Sequence, residues 1–372
     1  MPLTVISVAY PLTPVGPDAV GGSEQILTLI DSALVRAGHR SIVVACEGSD
    51  PQGTLVPTPK WDGDLTEEVR SWAQEHHRIA IAEALRRWDA DIVHMHSLDF
   101  YAYMPAGDVP VLATLHLPPS WYPSEVFHFQ RSNWFVNCVS RSEAEACPPG
   151  ARTLPPIENG VDIDRLTANL RKCDYALALG RICPEKGLHL ALEAAERAGM
   201  PMLLAGEVFK YESHVEYFNS EIMPRLSETR RFIGAAGLRA KRRLMTKARC
   251  LLVPSLVSET SSLVAMESMA CGTPVIAFPN GALPEIVEHR VTGFIVNSVD
   301  EMTTALRAVR ELDPEACRRA ARERFSAERM TSRYLRLYEE LIRRCMLARN
   351  TKKELTARVS SIWELQAEQP PA

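Results

Sequence analysis

A strand, a helix and a second strand follow one another in the second half of the chain, and this order limits the folds it can adopt. Cys250–Val253 is a short apolar run of the kind that forms a buried parallel strand. After a polar loop a helix begins near Ser261 or Ser262, since serine is a common helix cap. The helix ends before Gly272, and residues 274–278 form the next apolar run. This order predicts an α/β protein with a parallel sheet.

The same alternation of apolar strands and helices occurs in both halves of the chain. It begins with a strand at residues 3–8 and a helix from Ser23 to about Ala37. It restarts with a strand at residues 175–179, after a charged segment that lacks the character of a buried strand. At 372 residues the chain is long enough for two domains with sizeable cores. We therefore predict two Rossmann-like domains, at residues 1–165 and 166–328.

Composition argues against several classes of function. The formal net charge of -4 gives no reason to expect nucleic-acid binding. The nine cysteines form no C-x-x-C pair, so we expect reduced thiols, no zinc site and a cytoplasmic location. The first residues lack the basic region and apolar core of a secretory signal, and no apolar run approaches the ~20 residues of a membrane span. Basic residues are frequent at 225–249, where we expect a solvated helix rather than a membrane-binding surface.

Two glutamates, Glu259 and Glu267, lie on either side of the predicted helix start. If all residues between them were helical, a rise of ~1.5 Å per residue would separate them by about 12 Å. The free amides of the first helical turn lie between them and favour phosphate. A nucleotide-sugar fits this order, with the sugar at Glu259, the diphosphate at the amides of Ser262 and Leu263, and the ribose at Glu267. From these residues alone, a solvent-facing acid and an ordinary helical glutamate remain the alternative.

The residues around these glutamates carry a family resemblance. A glutamate, seven residues, a second glutamate and then Met-Ala-Cys-Gly-Thr-Pro-Val-Ile-Ala at 269–277 resemble the signature of the retaining family 4 glycosyltransferases. Gly-Ala-Leu-Pro-Glu-Ile-Val at 281–287 and Thr-Gly-Phe at 292–294 continue the pattern. Asn-Gly-Val-Asp at 159–162 also recurs in this family, ahead of the domain linker.

The resemblance implies the GT-B fold, in which two Rossmann-like domains face a central cleft. It also implies a retaining hexosyltransferase that moves a sugar from a nucleotide diphosphate donor, with UDP-sugar expected, to a hydroxyl acceptor of unknown identity. No cofactor and no metal are expected. Asp89-Ala90-Asp91 is similar to the metal-binding D-x-D of a different glycosyltransferase fold. Because it lies between a helix end and a buried strand, we expect capping and turn roles for it.

The resemblance also assigns roles to residues in both predicted domains. Gly21 and Gly22 would line the cleft beneath the donor phosphates, where a side chain would block approach. His116 stands at the C-terminal end of a predicted strand and would lie beside the reacting sugar. Arg181 and Lys186, also after a strand, would bind the diphosphate as its negative charge increases.

Four further expectations complete the predicted site and chain. The strand end that includes Ile233 would line the base pocket through backbone groups. His94 and His96 stand at a strand end much as His116 does, with a weaker expectation of function. The fold that the resemblance implies predicts a helix at 329–348 that crosses back to the first domain. We expect a mobile tail at 349–372, which carries Gln and Pro near its end.

Two other functions stay open at this point. The same fold hosts nucleotide-sugar epimerases, which alter the donor sugar without an acceptor. A catalytically silent nucleotide-sugar binding protein is the other alternative, because Ser261-Ser262 stands where the family often has Phe-Gly.

Overall fold

The computed structural model describes residues 2–19, 21–167 and 170–367, and these residues form two parallel β-sheets flanked by helices. In the described residues the first sheet has seven strands, in the order β3-β2-β1-β4-β5-β6-β7. Its strands are β1 (Thr4–Val8), β2 (Arg40–Cys46), β3 (Thr54–Thr58), β4 (Ile92–Met95), β5 (Val111–Thr114), β6 (Trp134–Asn137) and β7 (Thr153–Leu154). The helices of this half are α1 (Gly22–Arg36), α2 (Glu67–Arg87), α3 (Arg141–Glu145) and α4 (Ile163–Leu166).

The second sheet repeats this arrangement. Within the described residues it has six strands, in the order β10-β9-β8-β11-β12-β13. They are β8 (Ala176–Leu179), β9 (Met202–Ala205), β10 (Arg230–Phe232), β11 (Cys250–Val253), β12 (Val275–Ala277) and β13 (Gly293–Ile295). The helices are α5 (Leu188–Ala198), α6 (Glu212–Tyr217), α7 (Leu238–Lys247), α8 (Leu263–Ala270), α9 (Leu283–Ile286), α10 (Val299–Ala308), α11 (Pro314–Phe325) and α12 (Ala327–Ala367). Shorter 3-10 and π turns are Phe100–Tyr103, Pro119–Trp121, Ser124–Phe127, Pro184–Lys186, Phe218–Ile222, Met223–Arg225 and Val309–Glu311.

Both sheets have the strand order of a Rossmann-like fold, so the predicted α/β class with two such domains is confirmed. The central strands are apolar and buried because helices cover both faces of each sheet, whereas the edge strand β10, with the sequence Arg-Arg-Phe, is only partly buried. Strand β3 was not predicted, since its sequence Thr-Leu-Val-Pro-Thr contains a proline and it lies partly exposed at the sheet edge. Strands β7 and β13 were also missed because they are only two and three residues long.

The chain returns to the first sheet where α11 meets α12. There the Val161 amide donates to the carbonyl of Phe325 at 2.8 Å, and the Ala327 amide donates to the carbonyl of Val161 at 2.9 Å. A Cβ on Gly160 would lie 2.7 Å from the Ser326 carbonyl oxygen, so only glycine allows this approach. Helix α12 then packs its buried tyrosines against the core of the first domain, with Val5, Ile26, Ile30, Leu34, Tyr334, Tyr338 and Leu341 in one cluster.

The last helix is longer than the sequence interpretation allowed. It continues to Ala367 instead of ending near residue 348. The physical reason is that residues 349–367 contain no proline or glycine to stop it. Residues 368–372 lie outside the described residues, and both the mobility of the tail and the domain boundaries stay predictions. Within the residues that the structure describes, no helix combines the length and apolar character needed to cross a membrane.

A buried hydrogen bond fastens α12 to the first sheet, and it gives a test of that contact. The Tyr338 hydroxyl lies 2.7 Å from Nδ1 of His94, and both side chains are buried. Tyr338→Phe should lower the free energy of unfolding by about 1–2 kcal/mol, because it leaves a buried ring nitrogen without its partner. Chemical denaturation measures this change, with Tyr101→Phe on an exposed tyrosine as the matched control. Equal stability of the two variants would contradict the assignment.

Candidate active site

A cavity of about 1000 Å³ opens between the two domains. It lies at the carboxyl ends of strands from both sheets, where open α/β sheets bind their ligands. The predicted site residues that line it are Gly22, His116, Arg181, Lys186, Glu259, Ser262, Leu263 and Glu267. Eight residues from four separate stretches of the chain therefore meet at one cavity.

The loop that carries Glu259 is fixed by a glycine. The Gly281 backbone has a φ of +65°, and a Cβ there would lie 2.2 Å from the Glu259 carbonyl oxygen. The same carbonyl accepts a hydrogen bond of 2.8 Å from the Ala282 amide. These contacts give a physical reason for the Gly-Ala pair that opens the 281–287 pattern. They hold the Glu259 backbone at the cavity wall without using its carboxylate.

The Glu259 carboxylate is paired with Lys186. Lys186 Nζ lies 2.6 Å from Oε1 of Glu259, and the two side chains are 28% and 12% exposed. Gly187 allows this approach, because it has a φ of +60° and a Cβ there would lie 2.2 Å from the Pro254 carbonyl oxygen. The sequence interpretation placed both residues in the cleft but did not anticipate that they contact each other.

Glu267 has a lysine partner of its own. Lys241 Nζ lies 2.5 Å from Oε1 of Glu267, and the side chains are 14% and 8% exposed. Burial raises the pKa of the Glu267 carboxyl, and the neighbouring Lys241 partly offsets that shift. Sequence reasoning missed Lys241 as a site residue by treating α7 as a solvated basic helix. Its spacing from Leu238 and Met245 puts Lys241 on the apolar face, and this signal could have identified it.

Helix α8 begins between the two glutamates, as predicted. Ser262 is the residue before the helix and is buried, yet its side chain makes no cap hydrogen bond. The first-turn amides of α8 are therefore not capped by the Ser262 hydroxyl and can bind another hydrogen-bond acceptor. A buried oxygen of Ser261 is also without a hydrogen-bond partner among the described residues. The cavity thus contains a helix N-terminus that suits an anion, with a lysine–glutamate pair on each side.

Arg181 differs from Lys186 and Lys241 in having no carboxylate partner among the described residues. It follows β8, lines the cavity and is exposed. Lys186, on the same loop, is held by Glu259. The two predicted diphosphate ligands therefore differ: one is already part of an ion pair, and the other extends into solvent at the cavity wall.

His116 belongs to a row of three histidines. Nε2 of His116 lies 3.1 Å from Nδ1 of His96, and their rings stack with centroids 5.4 Å apart. The His94 ring is tilted against the His96 ring, with centroids 3.9 Å apart, and its nitrogens lie 2.7 Å from the oxygens of Thr114 and Tyr338. Burial lowers the pKa of His116 to about 4, so the ring is neutral at pH 7. The carbonyl of His116 accepts from the Thr260 hydroxyl at 2.9 Å, which joins the two domains at the cavity.

The low pKa of His116 predicts how acid affects stability. The folded value of about 4 lies below the unfolded value of about 6.5, so the unfolded chain binds the extra proton first. The contribution of the neutral, buried His116 to the free energy of unfolding is therefore present above about pH 6.5 and is lost as the pH falls towards about 4. His116→Gln should make the acid decline in the free energy of unfolding shallower than in the unsubstituted protein. Denaturant melts between about pH 7 and 5 measure it. The exposed His128→Gln should leave the slope unchanged, and parallel curves for all three proteins would contradict the prediction.

The two glycines before α1 have different surroundings. Gly22 lines the cavity, and a Cβ there would lie 3.6 Å from Cδ1 of Leu263 in the other domain. Gly21 is not part of the cavity wall, and a Cβ there would lie 1.9 Å from Oε2 of Glu24. The absence of a side chain at Gly21 makes room for the buried Glu24, which lines the cavity. The Glu24 carboxylate accepts a hydrogen bond from Ser23 Oγ at 3.0 Å, and burial raises the pKa of Glu24. Sequence reasoning mentioned the run through Glu24 but did not single that residue out.

Ile233 does not reach the cavity. It is 41% exposed, and its amide donates 2.9 Å to the Leu204 carbonyl as a continuation of the sheet. Gly234, with a φ of +73°, then turns the chain, and residues 235–238 line the cavity instead. The strand end was thus identified correctly, but the residue that faces the cavity lies beyond the turn.

Two groups bear on metal binding. The Asp91 carboxylate accepts from the Thr4 amide at 2.7 Å, which links the start of β4 to the neighbouring strand β1. Separately, ligand atoms of Cys183, Glu185 and His214 all lie within 4.8 Å of one another. The sequence interpretation missed this group because a thiol and an imidazole so far apart in the chain match no metal-binding spacing.

Comparisons with known proteins agree with this architecture. The family model described as Glycosyltransferase Family 4 matches residues 20–165, and the one described as Glycosyl transferases group 1 matches residues 174–311. A glycogen synthase of Mycobacterium tuberculosis is 26% identical over 393 residues, covering 89% of this chain and 91% of that protein. A phosphatidyl-myo-inositol mannosyltransferase of Mycobacterium leprae is 26% identical over 284 residues, covering 68% of this chain and 71% of its own length.

Solved structures show the same fold. AviGT4, a glycosyltransferase involved in avilamycin A biosynthesis, has a TM-score of 0.69 and 25% identity, with 92% of this chain and 98% of that chain covered. HepE of Anabaena has a TM-score of 0.69 and 17% identity, with 91% and 99% covered. Two Rossmann-like domains around a shared cavity define an enzyme of the GT-B fold. The chain belongs to the family 4 glycosyltransferases.

Proposed function

We propose that this glycosyltransferase moves a hexose from a UDP-sugar to a hydroxyl acceptor and retains the configuration of the anomeric carbon. The observation that carries the proposal is the arrangement around α8, where two lysine–glutamate pairs flank a helix N-terminus at the wall of the cavity. The helix amides suit a diphosphate, and the carboxylates suit sugar hydroxyls on either side of it. The HepE structures are described as complexes with UDP, with UDP and glucose, and with UDP-glucose, which favours uracil as the base.

The donor would lie along the loop and helix in the order sugar, diphosphate, ribose. Glu259 would accept hydrogen bonds from sugar hydroxyls, the amides of Ser262 and Leu263 would bind the diphosphate, and Glu267 would bind the ribose. Lys186 has three donor hydrogens, so it can keep Glu259 in place and still reach a phosphate oxygen. Arg181 lacks a carboxylate partner in the described residues and is free to form a bidentate contact with the diphosphate.

The chemistry would be a front-face displacement. The bond between the anomeric carbon and the acceptor oxygen forms as the bond to the β-phosphate oxygen breaks. The leaving phosphate takes the proton of the acceptor hydroxyl, so no enzyme carboxylate is needed as a nucleophile. Arg181 and Lys186 stabilise the charge that builds up on the diphosphate, which removes the need for Mg²⁺ in this step. A neutral His116 can offer a hydrogen bond to the reacting sugar without adding positive charge beside an anomeric carbon that is itself becoming cationic.

A donor panel tests the proposal. UDP-glucose, UDP-galactose, ADP-glucose and GDP-mannose are first compared by the rise in melting temperature that each produces. We expect the UDP-sugars to give the larger shifts, and the best donor to release UDP and form a new glycoside with a hydroxyl acceptor. Nuclear magnetic resonance of the product should show the anomeric configuration of the donor. A changed donor sugar with no glycoside would indicate an epimerase, and binding without any turnover would indicate a sensor.

A further inference from the structure

Three potential metal ligands lie together on the second domain, two of them on the loop that carries Arg181 and Lys186. Cys183 precedes the short turn Pro184–Lys186, Glu185 is within that turn, and His214 is on α6. Their ligand atoms all lie within 4.8 Å of one another. We propose that these three side chains form a zinc site that ties α6 to the loop of the predicted diphosphate ligands. This proposal does not depend on the donor or the acceptor.

The hydrogen bonding of the three side chains leaves them available to a metal. Nδ1 of His214 is buried and has no hydrogen-bond partner among the described residues, although a buried imidazole nitrogen normally has one. The Cys183 thiol makes a long contact of 3.7 Å to the Arg181 carbonyl, and it also interacts with the Glu185 carboxylate, a second member of the group. The Glu185 backbone is held separately, since its carbonyl accepts from the Leu256 amide at 2.8 Å, and the side-chain contact of Glu185 with Cys183 lies within the group itself.

The chemistry of the set selects the ion. A thiolate, an imidazole and a carboxylate suit zinc, whereas magnesium and calcium prefer oxygen ligands alone. Zinc bond lengths of about 2.0–2.3 Å put tetrahedral ligand atoms roughly 3.5 Å apart. The present separations, which are all within 4.8 Å, therefore have to close by at most about 1.3 Å. Glu185 is exposed, so it can rotate to close the site, and it gives the ion a path from solvent.

The surroundings of the site define what the metal would do. Cys183 is 1% exposed and His214 is 8% exposed, so two of the ligands belong to the packed body of the domain. The rings of Tyr211 and Phe209 lie against His214, with centroids 5.1 and 6.3 Å away. Three protein ligands leave a fourth position for water. The bound ion would hold the turn of Lys186 against α6, and it would not contact the proposed donor position at α8.

Cobalt provides a direct readout, because a thiolate ligand gives Co²⁺ a charge-transfer band and tetrahedral coordination gives intense visible bands. The full chain, freed of metal, is titrated with Co²⁺. We expect one ion per chain with both features, and displacement of the cobalt by Zn²⁺. Cys183→Ser should abolish the charge-transfer band. His214→Gln should weaken cobalt binding by more than about 100-fold. A residue that only hydrogen-bonds a metal ligand would cost about 10-fold to 100-fold, so the larger loss indicates direct coordination.

Matched variants separate this site from adventitious binding. Cys173→Ser removes an exposed cysteine and His128→Gln an exposed histidine, and both variants should bind cobalt as the unsubstituted chain does. Glu185→Ala changes only an exposed side chain and should also weaken binding, which covers the case in which Cys183→Ser fails to fold. The proposal is overturned if the unsubstituted chain shows no charge-transfer band, if Cys183→Ser keeps the band, or if Cys173→Ser loses it.

Discussion

Turnover should fall by more than about 100-fold when Lys186 is replaced by alanine, which corresponds to roughly 3 kcal/mol of lost transition-state stabilisation. Two effects act together in this variant. The diphosphate loses a cation that meets its growing negative charge. The Glu259 carboxylate also loses the ammonium that lies 2.6 Å from it, and it can then move away from the position in which it would bind the sugar.

Arg181→Ala should cause a loss of similar size by a simpler route. Arg181 has no carboxylate partner in the described part of the chain, so its removal should leave Glu259 and Lys186 in place. Initial rates at saturating donor give kcat for both variants. Lys210→Ala and Arg231→Ala are matched controls, because each removes an exposed cation that is outside the cavity wall. A rate within a few-fold of the unsubstituted enzyme for either main variant would remove that residue from the mechanism.

The contact between Lys186 and Glu259 adds a second measurement. Residues that contact each other show non-additive effects on substitution, whereas distant residues show additive ones. The double variant Lys186→Ala/Glu259→Gln should therefore lose less activity than the product of the two single losses. Arg181→Ala/Glu259→Gln should be closer to additive. If both double variants behave alike, the ion pair has no part in turnover.

The fold was predictable from the sequence because burial dictates the pattern of a doubly covered parallel sheet. A run such as Cys250–Val253 must be apolar on both faces, and Pro254 and Gly272 mark where strand and helix stop. The edge strand β3 was not predicted from the sequence, because it is partly exposed and contains a proline that an edge strand tolerates. The end of α12 was placed too early because the composition of the tail was weighed above the absence of a helix-breaking residue.

The site was predictable only in part, because residue spacing locates strand ends and helix starts but not partners. Lys186 and Glu259 are 73 residues apart, and their contact depends on the packing at Gly187. Lys241 lies on a helix with several other basic residues, so its sequence does not show that this lysine faces inward and contacts Glu267. The sequence marked the strand end at Ile233, whereas the residues that line the cavity follow the turn at Gly234, which spacing alone does not indicate.

The two glutamates should separate in their effects on binding of UDP. If Glu267 binds the ribose, Glu267→Gln should weaken the affinity for UDP by about 10-fold to 100-fold, because charge-assisted hydrogen bonds contribute about 1.5–3 kcal/mol. Glu259→Gln should leave the affinity for UDP unchanged while it depresses turnover, because UDP carries no sugar for Glu259 to bind. Calorimetric titration of both variants with UDP measures the difference. The exposed Glu288→Gln in the same domain is the control for a generic loss of charge.

The buried pair at Glu267 sets the conditions for this measurement. Glu267→Gln leaves the Lys241 ammonium, which is 14% exposed, without its carboxylate, so the variant should also melt at a lower temperature. The titration must therefore be run well below that melting temperature, where the variant is fully folded. Lys241→Met, which keeps the Glu267 carboxylate, should weaken UDP binding less than Glu267→Gln, because the ribose ligand is still present. Equal weakening in Glu259→Gln and Glu267→Gln, or weakening only in Glu259→Gln, would mean that the donor does not lie along α8 with its ribose at Glu267.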